Sequence, residues 1–301
     1  MFEVSEHFRR FLMKTISISI LFLIFSYNII AQYESVESIQ LSGKRIDNPV
    51  KVNVKQNDNK VVFTATNRSF YIYTLLLEIT YVSNLSPHGL KRSFKLLPGD
   101  NQIIDLNKVK NDQPMDFKYT YKYTIGFPSK NIDKSFSYIF PFRSANALEK
   151  DGIRYMNEFK LEINDTIYNM RKGYVVAVPY MFNNADRISR NASVEVMHSD
   201  GSVMIYENID PENSFIEPGK MIYPSQPIGL ISEELKLKIV LCNFKENGTI
   251  EQIPINYHTS LDKGYSFKDL NPEIKINYPE ELLFTEMSRR EIRKYKKGKL
   301  F

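Results

Sequence analysis

Short runs in which apolar and aromatic residues alternate with polar ones at a period of two, each closed by turn-forming residues, recur along most of this chain and commit it to β-sheets. Val50-Lys-Val-Asn-Val54 and Val61-Val-Phe-Thr-Ala-Thr66 flank Asn57-Asp58-Asn59, which predicts a hairpin. A long strand is predicted over Phe70 to Val82 and a shorter one over Ser93 to Leu97, ahead of the turn Pro98-Gly99-Asp100. Strands follow over Gln102 to Leu106 and Tyr119 to Gly126. Most of the 19 Tyr and 20 Phe fall in such segments, where flat side chains fit a pleated surface. The expected fold class is all-β, beginning with a β-sandwich over residues 35–144. A second β region is expected over 145–258, from strands at Phe159 to Ile163, Gly173 to Pro179, Val194 to His198, Val203 to Tyr206 and Leu235 to Cys242. Residues 259–301 are expected to form a linker and a basic tail. There, Pro279 to Phe301 has helical spacing, Ser288 and Glu291 form a capping-box pattern, and basic residues follow where the helix dipole favours them.

The N-terminal segment predicts export. Met13 and Lys14 open an apolar run, Thr15 to Ile30, followed by the small residue Ala31, which is the order of a cleavable secretory signal over residues 1–31. The apolar stretch Ile16 to Phe25 is short for a membrane span, and no basic cluster follows the run as it would after an uncleaved anchor. Met1 to Leu12, with Arg9 and Arg10, either extends the basic start of the leader or precedes a true start at Met13. The expected location is the periplasm or the cell surface. The single Cys242 excludes an intramolecular disulfide, and its place after Ile239-Val240-Leu241 predicts a buried thiol. Net charge is +5, yet Arg289 to Lys299 alone holds seven basic residues against one acidic, so the rest of the chain is nearly neutral. That tail is suited to an anionic surface or to plain solvation. Export argues against nucleic acid, and the sequons at Asn67, Asn84, Asn164, Asn191 and Asn247 matter only in a eukaryotic secretory route.

In the second β region, Met170-Arg-Lys-Gly-Tyr-Val-Val176 is followed by Val196-Met-His-Ser-Asp-Gly-Ser202, Tyr206, Glu217-Pro-Gly-Lys220 and Ile228-Gly229. This order resembles the lysostaphin-type murein endopeptidase domain, and Pro49 to Phe70 resembles the β-sandwich that precedes it in some exported bacterial members. The resemblance implies a murein-endopeptidase-like antiparallel β domain in which Gly173, His198, Asp200, Gly201, Tyr206 and Gly219 keep structural roles. It also implies zinc held by a His and an Asp early in the domain and by the second His of a His-x-His strand, with further histidines assisting proton transfer.

The residues at those positions depart from the pattern. The upstream ligand pair falls near Tyr155 and Glu162, the assisting His is replaced by Asn208, and His-x-His is replaced by Lys236-Leu237-Lys238, where two ammonium groups oppose a dication. After the leader only His88, His198 and His258 remain, predicted at a loop tip, at a strand end and near the end of the second region. The expectation is a degenerate groove of Tyr155, Glu162, Asn208, Lys236 and Lys238, with the zinc site lost, no cofactor and no catalytic residue. Three functions follow. The first is a non-catalytic envelope protein that binds peptidoglycan or regulates an envelope partner. The second is a hydrolase rebuilt around Glu162, Lys236 and Lys238, and the third is a structural β module. Oligomeric state is open in all three.

Overall fold

The computed structural model describes residues 48–128, 132–148, 157–184, 187–191, 193–232, 236–245 and 249–300. The expected leader and Tyr155 lie outside them. Strands account for 51% of the structure and helices for 7%, so the all-β expectation holds.

The predicted hairpin forms as β1 (Val50–Gln56) and β2 (Lys60–Asn67), antiparallel, with Val54 opposite Phe63. Along β2, Val61, Phe63 and Ala65 are fully buried while Val62 and Thr64 stay partly exposed, the outcome of period-two patterning when one strand face meets a core. The strands β3 (Tyr73–Ser83), β4 (Leu85–Ser86), β5 (Lys91–Leu96), β6 (Gly99–Lys108) and β7 (Asp116–Ile125) complete two sheets, ordered β1-β2-β6-β4 and β5-β3-β7. Val61 and Phe63 of one sheet and Leu75, Leu77 and Ile79 of the other share one core.

Several strand limits differ from expectation, and at two starts side chains are the reason. The segment Phe70 to Ile72 is captured by side chains instead of joining β3. Ser69 N donates to Asn67 Oδ1 (3.0 Å), Tyr71 N to Ser69 Oγ (3.1 Å), and Asn67 Nδ2 to the Tyr71 carbonyl (2.7 Å). Conversely, β6 begins within the expected turn, because Asn101 closes that turn with bonds to Leu97 N, Leu97 O and Gly99 O.

The second core is organised around a seven-stranded sheet. In chain order the region holds β8 (Ser137–Tyr138), β9 (Asn157–Lys160), β10 (Thr166–Tyr168), β11 (Gly173–Ala177), β12 (Tyr180–Asn184), β13 (Arg187–Asn191), β14 (Val194–Met197) and β15 (Val203–Glu207). It continues with β16 (Ile209–Ser214), β17 (Met221–Ile222), β18 (Pro227–Ile231), β19 (Lys236–Phe244), β20 (Ile250–Ile253), β21 (Asn256–Ser260) and β22 (Lys263–Ser266). The main sheet runs β17-β11-β14-β15-β19-β20, with β9 pairing the first half of β19. One face presents Val175, Val196, Met204, Tyr206, Leu237, Ile239 and Leu241 to the core.

Aromatic rings from distant parts of the chain fill that core. Phe142 meets Phe159 at 4.9 Å between ring centroids, and Phe140 meets Tyr257 at 5.2 Å. Phe267, Leu270, Ile274, Leu282 and Leu283 also pack here, so the segment after residue 258 supplies core side chains as well as a tail. Its helical spacing resolves into two short helices, Glu280–Leu283 and Arg289–Tyr295, separated by a break, and the predicted capping box at Ser288 and Glu291 forms.

Candidate functional site

Antiparallel register places Glu207 of β15, Lys238 of β19 and Glu158 of β9 side by side on the face of the main sheet opposite the core, with Lys236 two residues back on β19. Lys236 Nζ meets Glu158 Oε1 at 2.7 Å, and Lys238 Nζ meets Glu207 Oε2 at 3.5 Å. The lysine side chains are 51% and 20% exposed, so this ladder of alternating charge is in reach of solvent. Asn208, at φ 68°, turns the chain after β15 and donates its amide to the Lys236 carbonyl at 2.7 Å, which ties that turn to the start of β19.

Three of the expected groove residues, Asn208, Lys236 and Lys238, therefore converge. The expected carboxylate does not sit on this ladder. Glu162 lies on an exposed turn beyond β9, where its N–H donates to Asp165 Oδ2, and the carboxylate against the lysines is Glu158, four residues earlier. Sequence spacing missed Glu158 because it depends on the β9–β19 register, a long-range pairing with no local signal. An acidic residue at alternating spacing beside a buried Phe159 is the trace it leaves in the sequence.

Toward β14 the same face becomes buried. Val203, Ile205, Val240, Cys242 and Glu195 are covered, and the Tyr71 hydroxyl from the sandwich donates to Glu195 Oε2 at 2.6 Å. Burial, and then the charge of Glu195, pushes the Cys242 thiol pKa far up, so it is an inert core group as expected. Beyond it, a cleft of about 470 Å³ opens between Phe70 and Leu97 of the sandwich and Tyr174, Met197 and Gly219 of the second region.

Of the residues expected to be structural, Gly173, His198 and Tyr206 are buried, Asp200 and Gly201 are partly buried, and Gly219 lines the cleft. Tyr206 is fully buried; its hydroxyl accepts from Met170 N (2.9 Å) and donates to Asn169 Oδ1 (3.1 Å), fixing the approach to β11. A Cβ on Gly173 would lie 2.6 Å from Val196 Cγ1 and 2.7 Å from the Met197 carbonyl, so only glycine lets β11 approach β14 here. His198 directly follows β14, one residue past the expected strand's observed end, and is 3% exposed. Ser202 Oγ gives its one hydrogen to Asp200 Oδ1 (2.7 Å), so His198 Nδ1 carries the proton and donates to Ser202 Oγ (2.9 Å), while the buried Nε2 has no partner among the described residues. Burial, and then the Arg171 charge, lower the imidazole pKa to about 3.

Asp200 and Gly201 do form the expected turn, yet Asp200 has a second task. Its carboxylate accepts Arg171 Nη1 at 2.8 Å, and Arg171 also forms a bidentate pair with Glu286, at 2.7 Å and 3.0 Å. The guanidinium stacks 3.9 Å over the Phe136 ring. His88 sits on an exposed turn, as expected. His258 lies on β21, with Nδ1 3.1 Å from the Ser260 carbonyl. Among the described residues no three His, Cys, Asp or Glu side chains cluster as metal ligands, and no helix is long and apolar enough to cross a membrane.

No family model matches the chain, and no curated protein matches it. Among solved structures, Csd3 of Helicobacter pylori aligns over 86% of this chain and 81% of its own, at 11% identity and a TM-score of 0.31. A zinc-containing peptidase from Vibrio cholerae aligns over 67% and 84%, at 10% identity and a TM-score of 0.25. CbpA from L. salivarius REN aligns over 43% and 91%, at 16% identity and a TM-score of 0.23. All three are distant likenesses.

Proposed function

We propose that this chain is an exported, non-catalytic envelope protein whose exposed sheet face binds a peptide-like ligand bearing both amines and carboxylates. The peptide stems of peptidoglycan have this chemistry, as does a charged segment of an envelope partner. One observation carries the reading: the ladder Glu207, Lys238, Glu158 and Lys236 across three paired strands. Each lysine of the ladder is held against a carboxylate. A carboxylate committed to a lysine is a poor metal ligand beside a second cation. What such a ladder offers is donors and acceptors alternating at about the 4.8 Å strand spacing, which suits recognition of a zwitterionic chain.

Co-sedimentation of the mature protein with purified murein sacculi tests this. Binding without release of soluble muropeptides is expected, and Lys236→Glu with Lys238→Glu should weaken it roughly tenfold or more. Muropeptide release that disappears in Glu158→Gln or Glu162→Ala, or one tightly held zinc per purified chain, would establish a hydrolase instead. Failure of the wild type to sediment with sacculi would leave the protein partner or the structural module.

A further inference from the structure

The helix Arg289–Tyr295 and the turn after it carry a charge imbalance that the ladder does not use. Residues 289–299 hold seven basic residues and one acidic, a net +6 against +5 for the whole chain, so the remaining residues sum to −1. The body is nearly neutral and the C-terminal segment holds essentially all of the monopole.

The fold removes the one carboxylate from that surface. Glu291 turns inward, where it accepts Ser288 N (2.7 Å), Lys172 Nζ (2.9 Å) and the Tyr223 hydroxyl (3.0 Å). Burial would raise its pKa, but these bonds outweigh burial and hold it at about 2, so it stays ionised and bound to the body. Tyr295 packs edge-on against Phe284 at 5.3 Å, on the same inward side. At about 100° per residue, Glu291, Tyr295 and Ile292 occupy one side of the helix, and Arg289, Arg290, Arg293, Lys294 and Lys297 fan across the other. Those five cations and Lys299 are exposed and make no ion pair among the described residues; Lys296 alone meets Glu280, at 2.6 Å.

We propose that this cationic face docks the protein onto an anionic phospholipid bilayer. Arg289, Arg290, Arg293 and Lys294 stand on a helix that the capping box, the Lys172–Glu291 pair and the buried Leu282, Leu283 and Met287 fasten to the body, and Lys297 and Lys299 follow on the turn after it. Among the described residues no exposed aromatic ring stands beside them to stack on a nucleic-acid base, and the expected leader would take the chain out of the cytoplasm, away from nucleic acid. The near-neutral body adds no repulsion and leaves the patch to orient the molecule. This docking is independent of the ladder, which lies on the main sheet.

Sedimentation of the mature full chain with vesicles of phosphatidylcholine, alone or with phosphatidylglycerol, reads the surface directly. Binding is expected only to the vesicles containing phosphatidylglycerol, and near 1 M salt, where screening shortens to about 3 Å, it should be lost. Each neutralised charge should cost about fivefold in partitioning, so Arg290→Gln with Lys294→Gln should cost about thirtyfold. Lys118→Gln with Lys122→Gln, exposed on β7 and removing the same charge, should change it less than about twofold. Lys236→Gln with Lys238→Gln, which removes the same charge as the β7 pair, should likewise change it less than about twofold, which separates this proposal from failure of the ladder. Equal binding to neutral vesicles, equal losses from the β7 pair, or capture by a soluble polyanion without any vesicle binding would each overturn it.

Discussion

Replacing Arg171 with Met tests how the C-terminal segment is joined to the second core. The guanidinium is 3% exposed and makes three bonds to two carboxylates that are themselves only 11% and 21% exposed, besides its contacts to Tyr138 and Phe136. Met approximates the volume of the stem but leaves Asp200 and Glu286 facing each other without a cation. Breaking a buried pair from one side costs about 3–5 kcal/mol, and because both carboxylates keep some solvent the lower end applies, about 3 kcal/mol. For a fold of this size 1 kcal/mol is worth roughly 2–4 °C, so the melting temperature should fall by about 6–12 °C. Urea unfolding followed by circular dichroism gives the same quantity as a midpoint shift at unchanged slope. Adding Glu286→Gln to Arg171→Met should recover part of the loss, because one unpaired charge is removed, and a double-mutant cycle would return a coupling above about 1 kcal/mol. A loss below about 1 kcal/mol for Arg171→Met, with additive behaviour in the cycle, would refute the view that this network fastens the segment.

Two further outcomes follow from the same region and from the seam with the sandwich. Because the folded His198 pKa lies near 3 and that of the unfolded chain near 6.5, the unfolded chain takes up a proton between those values that the folded chain refuses. Stability should therefore decline as pH falls below about 6.5, with a limiting slope of about 1.4 kcal/mol per pH unit, and between pH 6.5 and 5 that slope should flatten in His198→Asn, as read by urea midpoints. Gly219→Ala should cost about 2 kcal/mol, from a φ of +80° and a Cβ placed 2.5 Å from the Phe70 ring; in a Phe70→Ala background only the backbone share, about 1 kcal/mol, should remain.

The sequence alone determined the all-β class, the longer strands and the buried thiol, though not the short strands such as β10, β17 and β22, because period-two burial is a local pattern: Val61, Phe63 and Ala65 announce their face without reference to any partner. It also determined the capping box at Ser288, whose bonds join residues three apart. The strand limits at Tyr73 and Gly99 were less legible, since Asn67, Ser69 and Asn101 compete for the same backbone groups through side chains. Only the tertiary structure decided the candidate site. It put Glu158 rather than Glu162 against the lysines, because β9 pairs with β19 across some eighty residues of chain. It also gave Asp200 a second partner in Arg171 and drew residues beyond 258 into the core. Which carboxylate meets which cation depends on register and on packing between distant segments, and pairings of that range have no period along the chain.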